Sequence, residues 1–138
     1  MSSLKICAIS DTHGNKFQIP PCDVFCHCGD WSPLHLQSDM ICMQEWLEEF
    51  VTSLCRLPCK YVVIIAGNHD LIMQSMLGKN IFQSIQYRLG LTTTFVGDDG
   101  LPKTVCKVHY LDRESVKLDG WTFWGSPVTK QFSRIIQR

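Results

Sequence analysis

The chain has no excess of charge of either sign. Thirteen Lys and Arg offset thirteen Asp and Glu, and charged residues are only 19% of the 138. An extended electropositive face for nucleic acid is therefore not expected. No apolar run approaches the roughly 20 residues of a membrane-spanning helix. Residues 1–10 lack the long apolar core and cleavage site of a secretory signal, so a cytoplasmic location is the expectation. Internal repeats and low-complexity linkers are lacking too. What remains, at 45% hydrophobic residues, is the composition of a globular protein with one domain over 1–138.

Cysteine, by contrast, is plentiful: Cys7, Cys22, Cys26, Cys28, Cys42, Cys55, Cys59 and Cys106. Several sit inside apolar runs, where a thiol packs as a small hydrophobe. Without a secretion signal, reduced thiols are expected rather than disulfides. Cys22, Cys26 and Cys28 lack the paired Cys-x-x-Cys spacing of a structural zinc site.

Three apolar runs read as buried strands. They are 5–9 (Lys-Ile-Cys-Ala-Ile), 23–28 (Asp-Val-Phe-Cys-His-Cys) and 61–66 (Tyr-Val-Val-Ile-Ile-Ala). The third is so rich in β-branched residues that it suits a central strand covered on both faces. Between the second and third, Met43, Trp46, Leu47, Phe50, Val51 and Leu54 recur at helical spacing, with Glu45, Glu48 and Glu49 opposite and Pro58 as the stop. A second helix is predicted over 79–89, ending at Gly90. Beyond it, 92–96, 104–111, 115–118 and 121–124 read as short strands between Gly, Asp and Pro turns. Residues 131–138 look like the start of a further element. The fold class is α/β.

Each strong strand ends in a polar cluster: Ser10-Asp11-Thr12-His13-Gly14, Gly29-Asp30-Trp31 and Gly67-Asn68-His69-Asp70. In open α/β sheets ligands collect beyond the carboxyl ends of the strands. If the strands are parallel neighbours, Asp11, His13, Asp30, Asn68, His69 and Asp70 converge. Carboxylate, imidazole and amide oxygen suit Mn, Fe or Zn better than Ca. Taken singly, each cluster reads equally as a turn or a helix cap. Their joint order and placement favour a ligand set.

The series Asp11-x-His13, Gly29-Asp30, Gly67-Asn68-His69-Asp70 resembles the calcineurin-like metallophosphoesterase superfamily. The later stretch Tyr110-Leu111 … Gly120-Trp121-Thr122-Phe123-Trp124-Gly125-Ser126-Pro127 is similar to the metallophosphoesterase-domain-containing subgroup. The resemblance implies the first part of an αββα sandwich with its second sheet incomplete. It also implies two divalent metal ions. Asp11 and His13 would bind the first, Asp30 would bridge, and Asn68 would bind the second. His69 would stand beside the substrate phosphate, and Asp70 would orient it. The implied reaction is hydrolysis of a phosphomonoester or phosphodiester by metal-bound hydroxide, on a small substrate, with a nucleotide as one candidate.

The family pattern also asks for a His after Gly-Ser-Pro and for a Gly-His-x-His block. The five histidines here are His13, His27, His35, His69 and His109, and none follows His109. His109 is read as a strand residue, His27 as a neighbour of the site, and His35 and Trp31 as loop residues within reach of substrate. Trp121 and Trp124 are read as core or sheet surface. Three expectations stay open: a truncated metallophosphoesterase domain, a non-catalytic module that keeps a weak metal or phosphate site, or a domain completed by a partner chain through self-association.

Overall fold

The three apolar runs form strands, and all three point the same way. A computed structural model of the chain describes residues 3–90 and 94–127. Strands β1 (Ile6–Ile9), β2 (Cys22–His27) and β3 (Cys59–Ile64) pair in parallel, with Ile9 beside His27 and His27 beside Ile64. Helix α1 (Met40–Leu54) joins β2 to β3. Helix α2 (Met76–Gly90) follows β3. Two short pairs come next in the chain. The antiparallel pair β4 (Thr94–Val96) and β5 (Pro102–Thr104) precedes β6 (Lys107–Tyr110), which joins β3 in parallel. The hairpin β7 (Glu114–Leu118) and β8 (Trp121–Gly125) closes the described part. The main sheet therefore has the order β1-β2-β3-β6.

Successive crossovers in one direction lay both helices on one face. There the stripe Met43, Leu47, Phe50, Val51 and Leu54 meets Phe25, Val62, Ile64, Phe82 and Ile85 in the main core. Full burial of each such side chain is worth about 2 kcal/mol. The other face carries a smaller cluster, Val24, Val63, Leu111 and Leu118, under the β7–β8 hairpin. Asp119 at the hairpin tip accepts from Lys60 Nζ at 2.9 Å and Tyr61 Oη at 3.1 Å, which pins the hairpin to the start of β3. β3 is covered on both faces, as its composition predicts. The architecture is a mixed α/β fold that matches part of an αββα metallophosphoesterase sandwich. Among the described residues its second sheet is this hairpin.

Several boundaries differ from the sequence reading. Helix α1 starts at Met40, because Asp39 caps it and accepts from Cys42 N at 3.1 Å. It stops at Leu54 rather than running up to Pro58. Proline has no N–H to give the carbonyl four residues back, and its ring crowds that carbonyl. The Leu54 carbonyl accepts instead from Leu57 N at 3.3 Å and from the Cys106 thiol at 2.9 Å. Cys106 N also donates to Cys55 O at 3.0 Å. These two bonds pull Cys106 out of line, so the single strand expected over 104–111 is split into β5 and β6. Residues 92–93 of the expected strand, and the element expected over 131–138, lie outside the described residues.

All eight cysteines are free thiols. Burial pushes the Cys26 thiol up to about 11 and the Cys55 thiol up to about 12, so these are packing groups rather than nucleophiles. Trp31 is corrected from a loop residue near substrate to a core residue. It is wholly buried, stacks on Phe50 at 5.3 Å, and donates from its indole nitrogen to Ile65 O at 3.0 Å. Trp121 and Trp124 are both exposed on the hairpin. Among the described residues no helix is long and apolar enough to cross a membrane.

His27 gives the fold a pH dependence. It is 1% exposed. Burial lowers its pKa from 6.5 to about 4, against a smaller upward pull from Asp11 and Asp30. The unfolded chain therefore takes up the proton first as pH falls below 6.5, and stability is lost between there and about 4. Metal-free unfolding in urea should show a loss of about 2 kcal/mol between pH 7.5 and pH 5 from this ring. His109, lowered by burial in the same direction, adds to it. In His27→Gln the drop should shrink, and an equal drop would assign it elsewhere.

Candidate metal centre

Parallel strands deliver their carboxyl ends to one edge, and the three polar loops meet there. The loop after β1 is laced to the loop after β2 by backbone bonds. Asp11 N donates to Gly29 O at 2.9 Å, His13 N to Asp30 O at 3.0 Å, and Gly14 N to Trp31 O at 2.8 Å. Asp11, His13 and Asp30 all adopt left-handed backbone, with φ of 58°, 47° and 59°. This region is costly for residues with a Cβ, about 1–2 kcal/mol each. Such strain concentrates at sites where side-chain direction matters more than local comfort. Here it aims three candidate ligands at one point. Glycine is required where the β2 and β3 loops touch. A Cβ on Gly67 would collide with the Asp30 carboxylate, and one on Gly29 would lie 2.8 Å from the Gly67 backbone.

One ligand atom each from Asp11, His13 and Asp30 lies within 4.8 Å of the others. His13 Nε2 is 3.8 Å from Asp11 Oδ1, and His13 Nδ1 is buried with no hydrogen-bond partner. An imidazole grouped with two carboxylates is a donor set that suits a divalent cation. The Asn68 amide reaches the same point, 3.0 Å and 3.2 Å from the two Asp30 oxygens. Turned nitrogen-first it donates to both. Turned oxygen-first it sets acceptor against acceptor, which a cation between them would satisfy. These residues therefore fit a metal. The Asp11 carboxyl is held below the usual carboxylate range, chiefly by Ser10 Oγ donating at 2.6 Å. It is thus ionised and ready to bind.

His69 is exposed at the mouth. Its backbone N–H donates to Asp30 Oδ1 at 2.9 Å, and its ring stands edge-on to His13 at 5.6 Å. Asp70 does something other than expected. Its Oδ2 accepts from Asp30 N and Gly67 N, both at 2.7 Å, and from Trp31 N at 3.4 Å, while Oδ1 accepts from Ser32 N at 2.8 Å. With 1% exposure and this backbone nest around it, the carboxylate clamps the β2 and β3 loops together. The hydrogen bonds recorded for it go to these backbone groups, not to the His69 imidazole. Burial raises its pKa, and the N–H donors pull against that rise.

Away from the cluster, His35 is exposed on a short turn after the β2 loop. His109 sits in β6, its Nε2 buried and unpaired and its ring 6.2 Å from Tyr61. Sequence reading missed a cavity of about 500 Å³ beside Asn68, lined also by Asp70, Lys79, Tyr110, Asp112 and Arg113. Lys79 approaches Asp112 at 3.6 Å, and Arg113 Nε is 3.0 Å from the same carboxylate. With Asp70 also in the lining, two cations face two acids there. The missing signal was the pairing of β6 with β3, which brings residues just after Tyr110 to the site's edge.

The fold and this cluster define a class, an α/β domain with a candidate divalent-metal centre at the carboxyl edge of a parallel sheet. Comparison with known proteins narrows it, although no family profile matches the chain. The chain is 31% identical over 125 residues to a UPF0046 protein of Caenorhabditis elegans, covering 89% of this chain and 38% of that protein. It is 30% identical over 123 residues to metallophosphoesterase domain-containing protein 1 of Homo sapiens and of Mus musculus, covering 86% of this chain and 36% of theirs. The similarity over most of the chain and the motif order support the metallophosphoesterase superfamily. It spans little more than a third of the length of these relatives.

Proposed function

We propose that the chain carries the metal-binding part of a metal-dependent phosphoesterase, acting on a small phosphomonoester or phosphodiester. The observation that carries this is the meeting of Asp11, His13 and Asp30, one ligand atom of each lying within 4.8 Å of the others. Asp11 and His13 would hold one divalent cation, Asp30 would be shared, and Asn68 would hold a second. Mn, Fe or Zn suits this mixed set. When bound, such ions polarise a phosphoryl oxygen and lower the pKa of water.

The chain's own residues supply the rest. His69, exposed beside His13, would hold a proton for the leaving oxygen. Asp30 holds the His69 backbone in place through its N–H. Lys79 and Arg113 line the adjoining cavity and would give the substrate's anionic group two cationic partners. A second reading, a module that binds without turnover, is favoured by the Asp11 side chain being 62% exposed, which leaves the shell open on one side.

The test is hydrolysis of nitrophenyl phosphate and bis-nitrophenyl phosphate by the chain reconstituted with Mn. Turnover that a chelator removes and Mn restores is the expected result. Mn and inorganic phosphate bound without turnover would transfer the assignment to the binding module. A chain that binds neither would end both readings.

A further inference from the structure

We infer that His27 is a positioning residue for the metal centre, acting through the Thr12 hydroxyl on the loop that carries Asp11 and His13. This rests on the metal-binding reading above, and it concerns residues to which that reading gives no part.

His27 is the last residue of β2, with 1% exposure. Phe17, Phe25 and Phe50 surround its ring at centroid distances of 5.9, 6.3 and 6.3 Å. An apolar side chain would suit such a box at lower cost, because a buried imidazole must find partners for both nitrogens. It finds them. Nδ1 lies 3.2 Å from Gly29 N, whose hydrogen it accepts. A neutral imidazole that accepts at Nδ1 carries its hydrogen on Nε2. Nε2 therefore donates to Thr12 Oγ1 at 2.9 Å.

Thr12 is the residue this bond most usefully reaches. It lies between Asp11 and His13, the two candidate ligands in left-handed backbone. The backbone bonds to the β2 loop run from Asp11, His13 and Gly14. The side chain of Thr12 adds the tie between them. The Phe box fixes the ring, the Gly29 N–H fixes its tautomer, and the Nε2 hydrogen fixes the strained loop. Groups that orient metal ligands in this way typically change affinity about tenfold to a hundredfold when removed.

The test is Mn binding by the full chain, followed by electron paramagnetic resonance, in wild type, Thr12→Val, Thr12→Ser, His27→Phe and the double variant Thr12→Val/His27→Phe. Thr12→Val should weaken Mn binding about tenfold or more. Thr12→Ser, which keeps the hydroxyl, should restore it. The double variant should bind no worse than the weaker single one, since both break one link. Thr12 is only partly buried, so Thr12→Val keeps the test decisive even if His27→Phe fails to fold. Long-range nitrogen-15 spectra should show the His27 hydrogen on Nε2. Unchanged Mn affinity in a folded Thr12→Val, additive losses, or the opposite tautomer would overturn the inference and leave the metal centre standing. A wild-type chain that binds no Mn would remove both.

Discussion

Asp30→Asn is expected to abolish Mn binding while leaving the metal-free fold intact or slightly firmer. Asp30 is the one side chain common to both halves of the site, close to Asp11 and His13 on one side and to Asn68 on the other. Asn keeps an oxygen where Oδ1 accepts from His69 N, so the β3 loop keeps its anchor. What the substitution removes is a negative charge. In the metal-free chain two carboxylates share one small space, and their repulsion disfavours the folded state. In the loaded chain the same charge is the attraction. The two measurements should therefore move in opposite directions. Mn affinity should fall by at least about a hundredfold, beyond the range of an outer-shell change. The metal-free melting temperature should hold or rise. If the affinity falls only because the protein melts, Asp30 is a structural acid and its assignment as a shared ligand fails.

How much of this could be read from sequence alone differs from element to element. The three strands and α1 were legible because burial on both faces of a parallel strand, and on one face of a helix, leaves periodic traces. The order of Asp11, His13, Asp30 and Asn68 was legible because parallel strands send their ends to one edge. Other features depend on tertiary pairing. The break between β5 and β6 comes from Cys106 bonding to the end of α1, 52 residues away in the chain. Arg113 reaches the site only because β6 chooses β3 as its neighbour. The job of Asp70 was hidden for another reason. Acceptance of backbone N–H groups leaves no pattern in residue types, so an acid beside a candidate catalytic His was naturally read as that histidine's partner.

Asp70→Asn should therefore cost stability first and metal second, the reverse of Asp30→Asn. The Asp70 carboxylate takes four backbone N–H groups, from Asp30, Trp31, Ser32 and Gly67. An amide has one oxygen. Turned toward Asp30, Trp31 and Gly67, it sets its NH₂ against the Ser32 N–H. Turned the other way, it strands three donors. Both orientations bury a donor against a donor, in a place with 1% exposure. The expected loss is about 3 kcal/mol in urea unfolding, a large share of the stability of a small domain. Because the nest holds the Asp30 backbone, Mn binding should weaken as well, even under conditions where the variant is folded. Wild-type stability in Asp70→Asn would refute the clamp. A loss of turnover alone, with stability and Mn affinity unchanged, would return Asp70 to the role of partner to His69. The two acids stand 40 residues apart in the chain and share one bond, Asp30 N to Asp70 Oδ2 at 2.7 Å. Through it, the charge that holds the loops positions the charge that would hold the cation.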